Sequence, residues 1–411
     1  MSRGRRVVVT GRGLVCSLGD DAAAVHQALR EGRSGLGTID VFDPAPLARP
    51  MGAQVREFDA KRYLGQKNMR PLDRTARLVA TAAHLALGDG GWSVESRAEH
   101  AVGLVLGTMY GSVRTIAEFD RRAIEEGPIY ASPLDFANTV INAAAGQTAI
   151  WHGLHGLNST IATSQTSGLR AIAYAAGFIE SGRCDVLLAG GAEELCLESF
   201  LSMERAGFLA PAGDADPVPF GPSPAGFLPG EGAALIVLES AELAARRGAR
   251  VLAEVRGYGI AFDPSRGSDA EEAIRATERG VAAALAAAGI GPDDVGGVSA
   301  SANGGPQDEL EARGQARARG PRPAPLPLTA VKATAGETPG ADGGLQAVVG
   351  LESLRTGEQP GIRGLRSVAP EFPFPLAGTG PRALAGRSLL LHSTGWDGQR
   401  CALVISRPSE S

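Results

Sequence analysis

The sequence predicts a layered α/β protein, and two observations carry that prediction. Short runs rich in valine, isoleucine and leucine alternate with longer, alanine-rich stretches of helical length. Glycine is also abundant, at 56 of 411 residues, as close packing of helices on sheets demands. In chain order, residues 7–10 read as a first strand, followed by 102–106, 186–189, 235–238, 389–391 and 403–405. Each is a short apolar run, the pattern of a buried strand. Between them, residues 74–87, 168–180 and 271–288 read as helices. In the last, Ile274, Val281, Leu285 and Ala288 recur on one face and Gly289 is placed to end the helix. Ser268 stands three residues before Glu271, the spacing of a capping box.

With 44% apolar residues, the chain can build a sizeable core, as one large domain or two fused halves. Residues 313–327 (RGQARARGPRPAPLP) lack periodicity and read as an exposed basic loop, either solvated or facing an acidic partner. A second basic cluster, Lys67, Arg70, Arg74 and Arg77, lies at and just inside a helix start and carries the same two readings.

The net charge of -5 gives no reason to expect nucleic acid or an anionic membrane. The N-terminus runs directly into Val7-Val8-Val9, too short for a signal-peptide core, and no stretch of 18 apolar residues occurs. Cys16, Cys184, Cys196 and Cys401 are scattered without CxxC spacing, so free thiols are expected rather than disulfides or a metal site. The expected setting is cytoplasmic, and nothing calls for a cofactor. Gly11-x-Gly13 lacks the third glycine of a dinucleotide loop and is set aside.

Several segments, in order and at family spacing, resemble the β-ketoacyl-acyl carrier protein synthases. They are RRVVVTGRGLVCSLG at the start, CDVLLAGGAE (184–193), GFLPGEGAALIVLE (226–239) and AELAARRGARVLAEVRGYG (241–259). The resemblance covers essentially the whole chain. It implies a thiolase-like fold, two βαβαβαββ halves in a five-layer αβαβα sandwich, here residues 1–250 and 251–411. It also implies a dimer with a broad interface.

Decarboxylating condensation needs a thiol nucleophile and donors that stabilise an enolate. The family supplies a cysteine at a helix N-terminus, where the dipole favours thiolate, together with two histidines. Here TSQTSG (163–168) places Gln165 in the cysteine slot, and an amide is no nucleophile. ASANGGPQD (300–308) puts Ser301 near the first histidine slot, and KATAGE puts Glu337 in the second. A carboxylate there would repel an enolate unless protonated. The family's late glycine loop, which helps gate the acyl site and shape its oxyanion hole, reads GWDGQR, with Gly395, Trp396, Asp397 and Gly398. His26, His84, His100, His152 and His155 match no catalytic slot, and His392, replacing a family asparagine, reads as structural. Lys332, Glu311 and Asp263 match retained scaffold positions, with Glu311 expected to pair with Lys332.

By resemblance, the favoured reading is a chain-length factor (ketosynthase β) of a type II polyketide synthase. Such a subunit pairs with a catalytic ketosynthase (ketosynthase α), meets acyl carrier protein and helps enclose the growing acyl or polyketide chain. Tyr110, Val113, Ile116, Asp135 and Phe136 are tunnel or interface candidates, each also readable as ordinary packing. Aromatic-polyketide chain-length factors read close to SEQAGG around the glutamine. TSQTSG is nearer the fatty-acid enzymes, which tilts the reading towards a reducing, polyene-like or fatty-acyl system. Two alternatives stand: a malonyl-carrier decarboxylase supplying an acetyl primer, against which the missing histidines count, and a non-catalytic homodimer that binds acyl chain or carrier protein.

Overall fold

The computed structural model describes residues 4–66, 69–213, 215–320, 326–367 and 380–409. Its main sheet has ten strands: β1 (Val7–Cys16), β2 (Gly103–Gly107), β3 (Asn158–Ile161), β4 (Val186–Glu193), β5 (Gly232–Ser240), β6 (Ala253–Phe262), β7 (Val295–Ser299), β8 (Leu328–Thr329), β9 (Ser388–Thr394) and β10 (Gln399–Ser406). Their order is β8-β7-β9-β10-β6-β1-β5-β4-β2-β3. Outward from the β1–β6 contact, the two sides repeat one pattern. β1 is antiparallel to β5 and β5 to β4, whereas β4, β2 and β3 run parallel. β6, β10, β9, β7 and β8 repeat those directions in that order. Only a short antiparallel ladder, Val7–Val9 against Val255–Ala253, joins the two sides.

The principal helices are α1 (Arg74–Asp89), α2 (Val113–Glu125), α3 (Ala143–His152), α4 (Ser167–Glu180), α5 (Ala270–Ala288), α6 (Gln307–Arg319) and α7 (Asp342–Thr356). α4 and α7 form the middle layer. Strand side chains alternate by face: in β4, Leu187 joins the central cluster with Ile172 and Val348, while Leu188 joins Leu78 and Val79 of α1 outside. In β9, Leu389 and Leu391 face the centre, and Leu390 faces Val281 and Leu285 of α5. Strands covered on both faces explain the unbroken apolar runs in the sequence. The result is the thiolase-like, five-layer fold that the resemblance implied.

Glycine sets the helix-to-sheet distance. A Cβ on Gly13 would sit 2.3 Å from the Ala82 carbonyl oxygen of α1, and one on Gly259 would sit 2.1 Å from that of Gly280 in α5. The Gly11-x-Gly13 pair is therefore a packing device, and Gly257-x-Gly259 repeats it in β6.

Three expectations need correction. Ser268 does not cap α5: Asp269 does, accepting from the Glu271 and Glu272 backbone nitrogens at 2.9 and 3.2 Å, while the Ser268 hydroxyl donates to Ser265. A charged acceptor one residue nearer the helix wins the cap. The basic segment from Arg313 is not a loop as far as Arg319, because it completes α6, held by Arg313–Glu309 and Arg317–Glu271 pairs with Arg319 buried. Residues 321–325 of that segment and Lys67 lie outside the described residues. Arg74, counted as surface-basic, is bound to buried Glu231 through two bonds of 2.8 and 2.5 Å. The expected boundary at residue 250 falls in the link between the helix Ala241–Arg246 and β6. The four cysteines are free, and among the described residues no helix is long and apolar enough to cross a membrane.

Candidate functional site

The N-terminal ends of α4 and α7 meet at the centre of the molecule. A Cβ on Gly343 would lie 2.1 Å from the Leu169 backbone nitrogen, so only glycine allows the two helices to approach there. The turn entering α4 holds Ser164 at φ +54°, a conformation that costs a non-glycine residue about 1–2 kcal/mol. The backbone is thus strained at the residue before Gln165, the slot in which the resemblance expects a nucleophile.

Gln165 is buried at this turn. Its side-chain oxygen accepts from the Trp396 backbone nitrogen at 3.0 Å and from the Ser164 hydroxyl. The Trp396 nitrogen belongs to the late glycine loop and is the kind of donor that would receive an oxyanion. Here the chain's own amide occupies it. Among the described residues the Gln165 amide nitrogen has no partner.

Trp396 closes the site from the other side. Its ring lies 4.3 Å from Phe208 and 5.4 Å from Phe227, stacked with both. Beneath it runs a cleft of about 730 Å³ lined by Phe208, Phe227, Ser301, Asn303, Glu311 and Trp396 among others, but not by Gln165. The loop is also pinned from below. Buried Arg400 donates to the Gly395 and Gln399 carbonyls at 3.2 and 3.0 Å and lies 3.4 Å from Asp263. Asp263 in turn accepts from Ser265 and Gly267 and donates its own backbone N–H to Gly398. Burial lowers the Arg400 pKa against the pull of Asp263 and Glu311. Arg400 is the residue that sequence reading missed. Its only signal was an arginine inside an otherwise apolar strand.

The two histidine slots hold structural networks. The Ser301 hydroxyl accepts from the Thr394 nitrogen at 3.0 Å and lies 3.4 Å from the Lys332 ammonium. Glu337 is fully buried, with one oxygen 2.8 Å from Lys332 and the other accepting from the Asn303 amide at 2.7 Å. Lys332 also lies 3.2 Å from Asp342. Burial alone would lower the lysine pKa, but Asp342 and Glu337 hold it above its ordinary value. Burial pushes Asp342 up, with Lys332 opposing and Glu337 adding to the rise. The expected Glu311–Lys332 pair is not formed. Glu311 instead receives His392 Nδ1 at 2.7 Å, the Ser301 backbone nitrogen and the Gln315 amide, while the ammonium faces Glu337, Asp342 and Ser301. His392 is fully buried and reads as an orienting partner of Glu311.

The strand-end glutamate of the GGAE segment, Glu193, ties the halves together. It accepts from Thr108, Met109, Tyr110 and Gly340, and burial pushes its pKa up to about 7.

The tunnel candidates lie apart from this cleft. Tyr110 is half-buried and bonds Ser202 at 2.8 Å. Val113 and Ile116 are half-buried on α2, Asp135 lies 3.7 Å from Arg122, and Phe136 is 65% exposed beside Phe119.

A duplicated five-strand pattern around paired central helices defines a thiolase-like ketosynthase fold. The chain belongs to the β-ketoacyl synthase family: the model of that family's N-terminal domain matches residues 4–244 and that of its C-terminal domain residues 252–366. Among its relatives, 3-oxoacyl-acyl-carrier-protein synthase 2 of Synechocystis is 28% identical over 409 residues, 98% of each chain. The tetracenomycin polyketide synthase ketoacyl synthase beta subunit of Streptomyces glaucescens is 32% identical over 416 residues, covering 99% of this chain and 100% of that one. The solved ishigamide ketosynthase/chain length factor superposes with a TM-score of 0.91 at 26% identity, over 99% of this chain and 100% of that chain.

Proposed function

We propose that this chain is a non-catalytic chain-length factor that pairs with an active ketosynthase and helps shape the tunnel for its growing acyl chain. The observation that carries this reading is the self-occupied site. Gln165 stands where the nucleophile belongs and its oxygen takes the Trp396 donor, while the histidine slots are filled by Ser301 and a Glu337–Lys332 pair. No member of this set supplies a thiolate or an enolate donor. The beta subunit and chain-length-factor relatives support the same reading.

A partner face fits it too. β3 is an edge strand bonded only to β2, and exposed sheet edges are normally covered. From the last turn of α2 to the start of α3 the chain exposes Ile124, Ile129, Tyr130, Leu134, Phe136 and Ile141, with Ile129 87% exposed. So much apolar surface on one segment is the mark of an interface. Tyr110, Val113, Ile116, Asp135 and Phe136 belong to this face as tunnel or contact positions. Exposed Arg70 and Arg77 offer an acidic carrier protein a docking point, since Arg74 is engaged with Glu231. The TSQTSG turn favours a reducing, polyene-type or fatty-acyl product over an aromatic one.

The test is the intact mass of the complex purified gently from its native host. An equimolar pair with a ketosynthase chain bearing the Cys-His-His site is the expected result. A homodimer with no such partner overturns the reading in favour of an acyl- or carrier-binding dimer.

A further inference from the structure

A second cleft, of about 580 Å³, opens between the start of α1, one side of α2 and the short helix Pro133–Phe136. It is lined by two buried acceptors that receive nothing among the described residues: Glu194 Oε1 and Asn138 Oδ1. Asn138 is held in place, because its amide nitrogen donates to the Pro71 carbonyl at 2.9 Å. The neighbouring charges are already engaged. Arg74 is on Glu231, Arg114 on Glu118, and Asp73 caps α1 while accepting from Thr115.

Bare acceptors in a buried wall cost stability unless something arrives to satisfy them. Burial, reinforced by Asp73 and opposed by Arg114, pushes the Glu194 pKa up to about 8, so the wall is largely uncharged at neutral pH. Exposed Lys61, Arg70 and Arg77 line the cleft as well. Asp59, Glu118 and Asp135 line it too and balance them, so no net charge draws a cation, and an anion would bring no donor to two bare oxygens. The matching chemistry is a neutral group that donates and accepts, a primary amide or a hydroxyl.

The surroundings point to its source. Asp135 and Asn138 of the cleft alternate with exposed Leu134 and Phe136 of the apolar face. By helical periodicity, Arg114, Thr115 and Glu118 line the cleft while Val113 and Ile116 project from the opposite side of α2, so of the tunnel candidates Asp135 borders the cleft and Val113 and Ile116 do not. We propose that an amide- or hydroxyl-bearing side chain of the partner ketosynthase enters this cleft and bonds Glu194 and Asn138, fixing the register of the heterodimer. This rests on the chain-length-factor reading above.

The test measures dissociation of the purified complex on dilution, beside the melting temperature of the free full-length chain. Glu194→Leu is expected to weaken assembly about ten-fold or more while leaving the melting temperature unchanged or raised. Glu194→Gln, which still donates and accepts, is expected to stay within about three-fold. Asn138→Ala removes the other acceptor independently, with a loss of assembly similar to that of Glu194→Leu. Unchanged assembly in the leucine and alanine variants overturns the proposal and leaves water in the cleft. Parallel loss of melting temperature and affinity in all three variants overturns it in favour of a purely structural role. If the unsubstituted chain forms no heterodimer, the chain-length-factor reading fails and this occupant fails with it.

Discussion

Replacing Lys332 by methionine is expected to destabilise the protein by about 3–5 kcal/mol, the usual cost of removing one member of a buried ion cluster. The ammonium lies 2.8 Å from Glu337 and 3.2 Å from Asp342, and all three side chains are buried. Without it, two carboxyl groups face each other away from water. The folded state can respond only by holding protons more tightly. Asp342 already titrates above its ordinary value, and losing the ammonium that opposes this rise pushes it further up. A carboxyl group whose folded pKa is raised adds stability below its unfolded pKa and loses it as pH rises. The deficit relative to the unsubstituted chain is therefore expected to be largest at neutral pH and to shrink as pH falls towards about 4. Chemical denaturation at two pH values measures it. Pairing the change with Glu337→Leu should recover at least half of the loss, because the uncompensated charge goes with it. A deficit below about 1 kcal/mol at neutral pH would mean that the cluster is screened as a surface pair is.

Restoring the missing thiol is expected to restore almost nothing. Gln165→Cys places sulfur at the start of α4, where the helix end favours a thiolate. Condensing activity is nevertheless expected to stay on the order of 10⁴-fold or more below that of an intact site. Neither expected histidine slot would offer the thiol an imidazole. Ser301 is tied to Thr394 and Lys332, and Glu337 to Lys332 and Asn303. The 395–398 loop also keeps the hold of Arg400 and of the Phe208–Trp396–Phe227 stack, although it loses the Gln165 acceptor. Product formation with malonyl-carrier protein and an acyl primer is the readout. A rate within about 100-fold of an active ketosynthase would show that the histidine slots are dispensable, against the reading given to Ser301 and Glu337.

Much of this architecture was legible in the sequence because doubly covered strands leave unbroken apolar runs. Residues 186–189 and 389–391 fall inside β4 and β9, and residues 168–180 fall within α4. The reading of Gln165 in the cysteine slot rests on the TSQTSG motif alone. β3 was missed because NSTI is a polar edge strand with no apolar signature. α6 was misread because its helical state depends on packing against α5, including the Arg317–Glu271 pair, and not on local propensity. The partners of Lys332 and Glu311 were not legible at all. Which carboxylate reaches an ammonium depends on side-chain geometry across α7 and the Lys332–Ala335 turn, which motif spacing does not encode. Arg400 was hidden for the same reason: its role exists only once Asp263 and the 395–399 loop meet around it.

The most direct measurement is a crossed substitution in the assembled complex. In one complex the partner ketosynthase loses its nucleophilic cysteine, and in the other this chain carries Gln165→Ala. Product chain length and turnover are followed in both. A non-catalytic partner predicts that the first complex makes no condensation product, while the second turns over at close to the unsubstituted rate. Product persisting without the partner's cysteine, or vanishing with Gln165→Ala while the complex stays assembled, would contradict it and place chemistry on this chain.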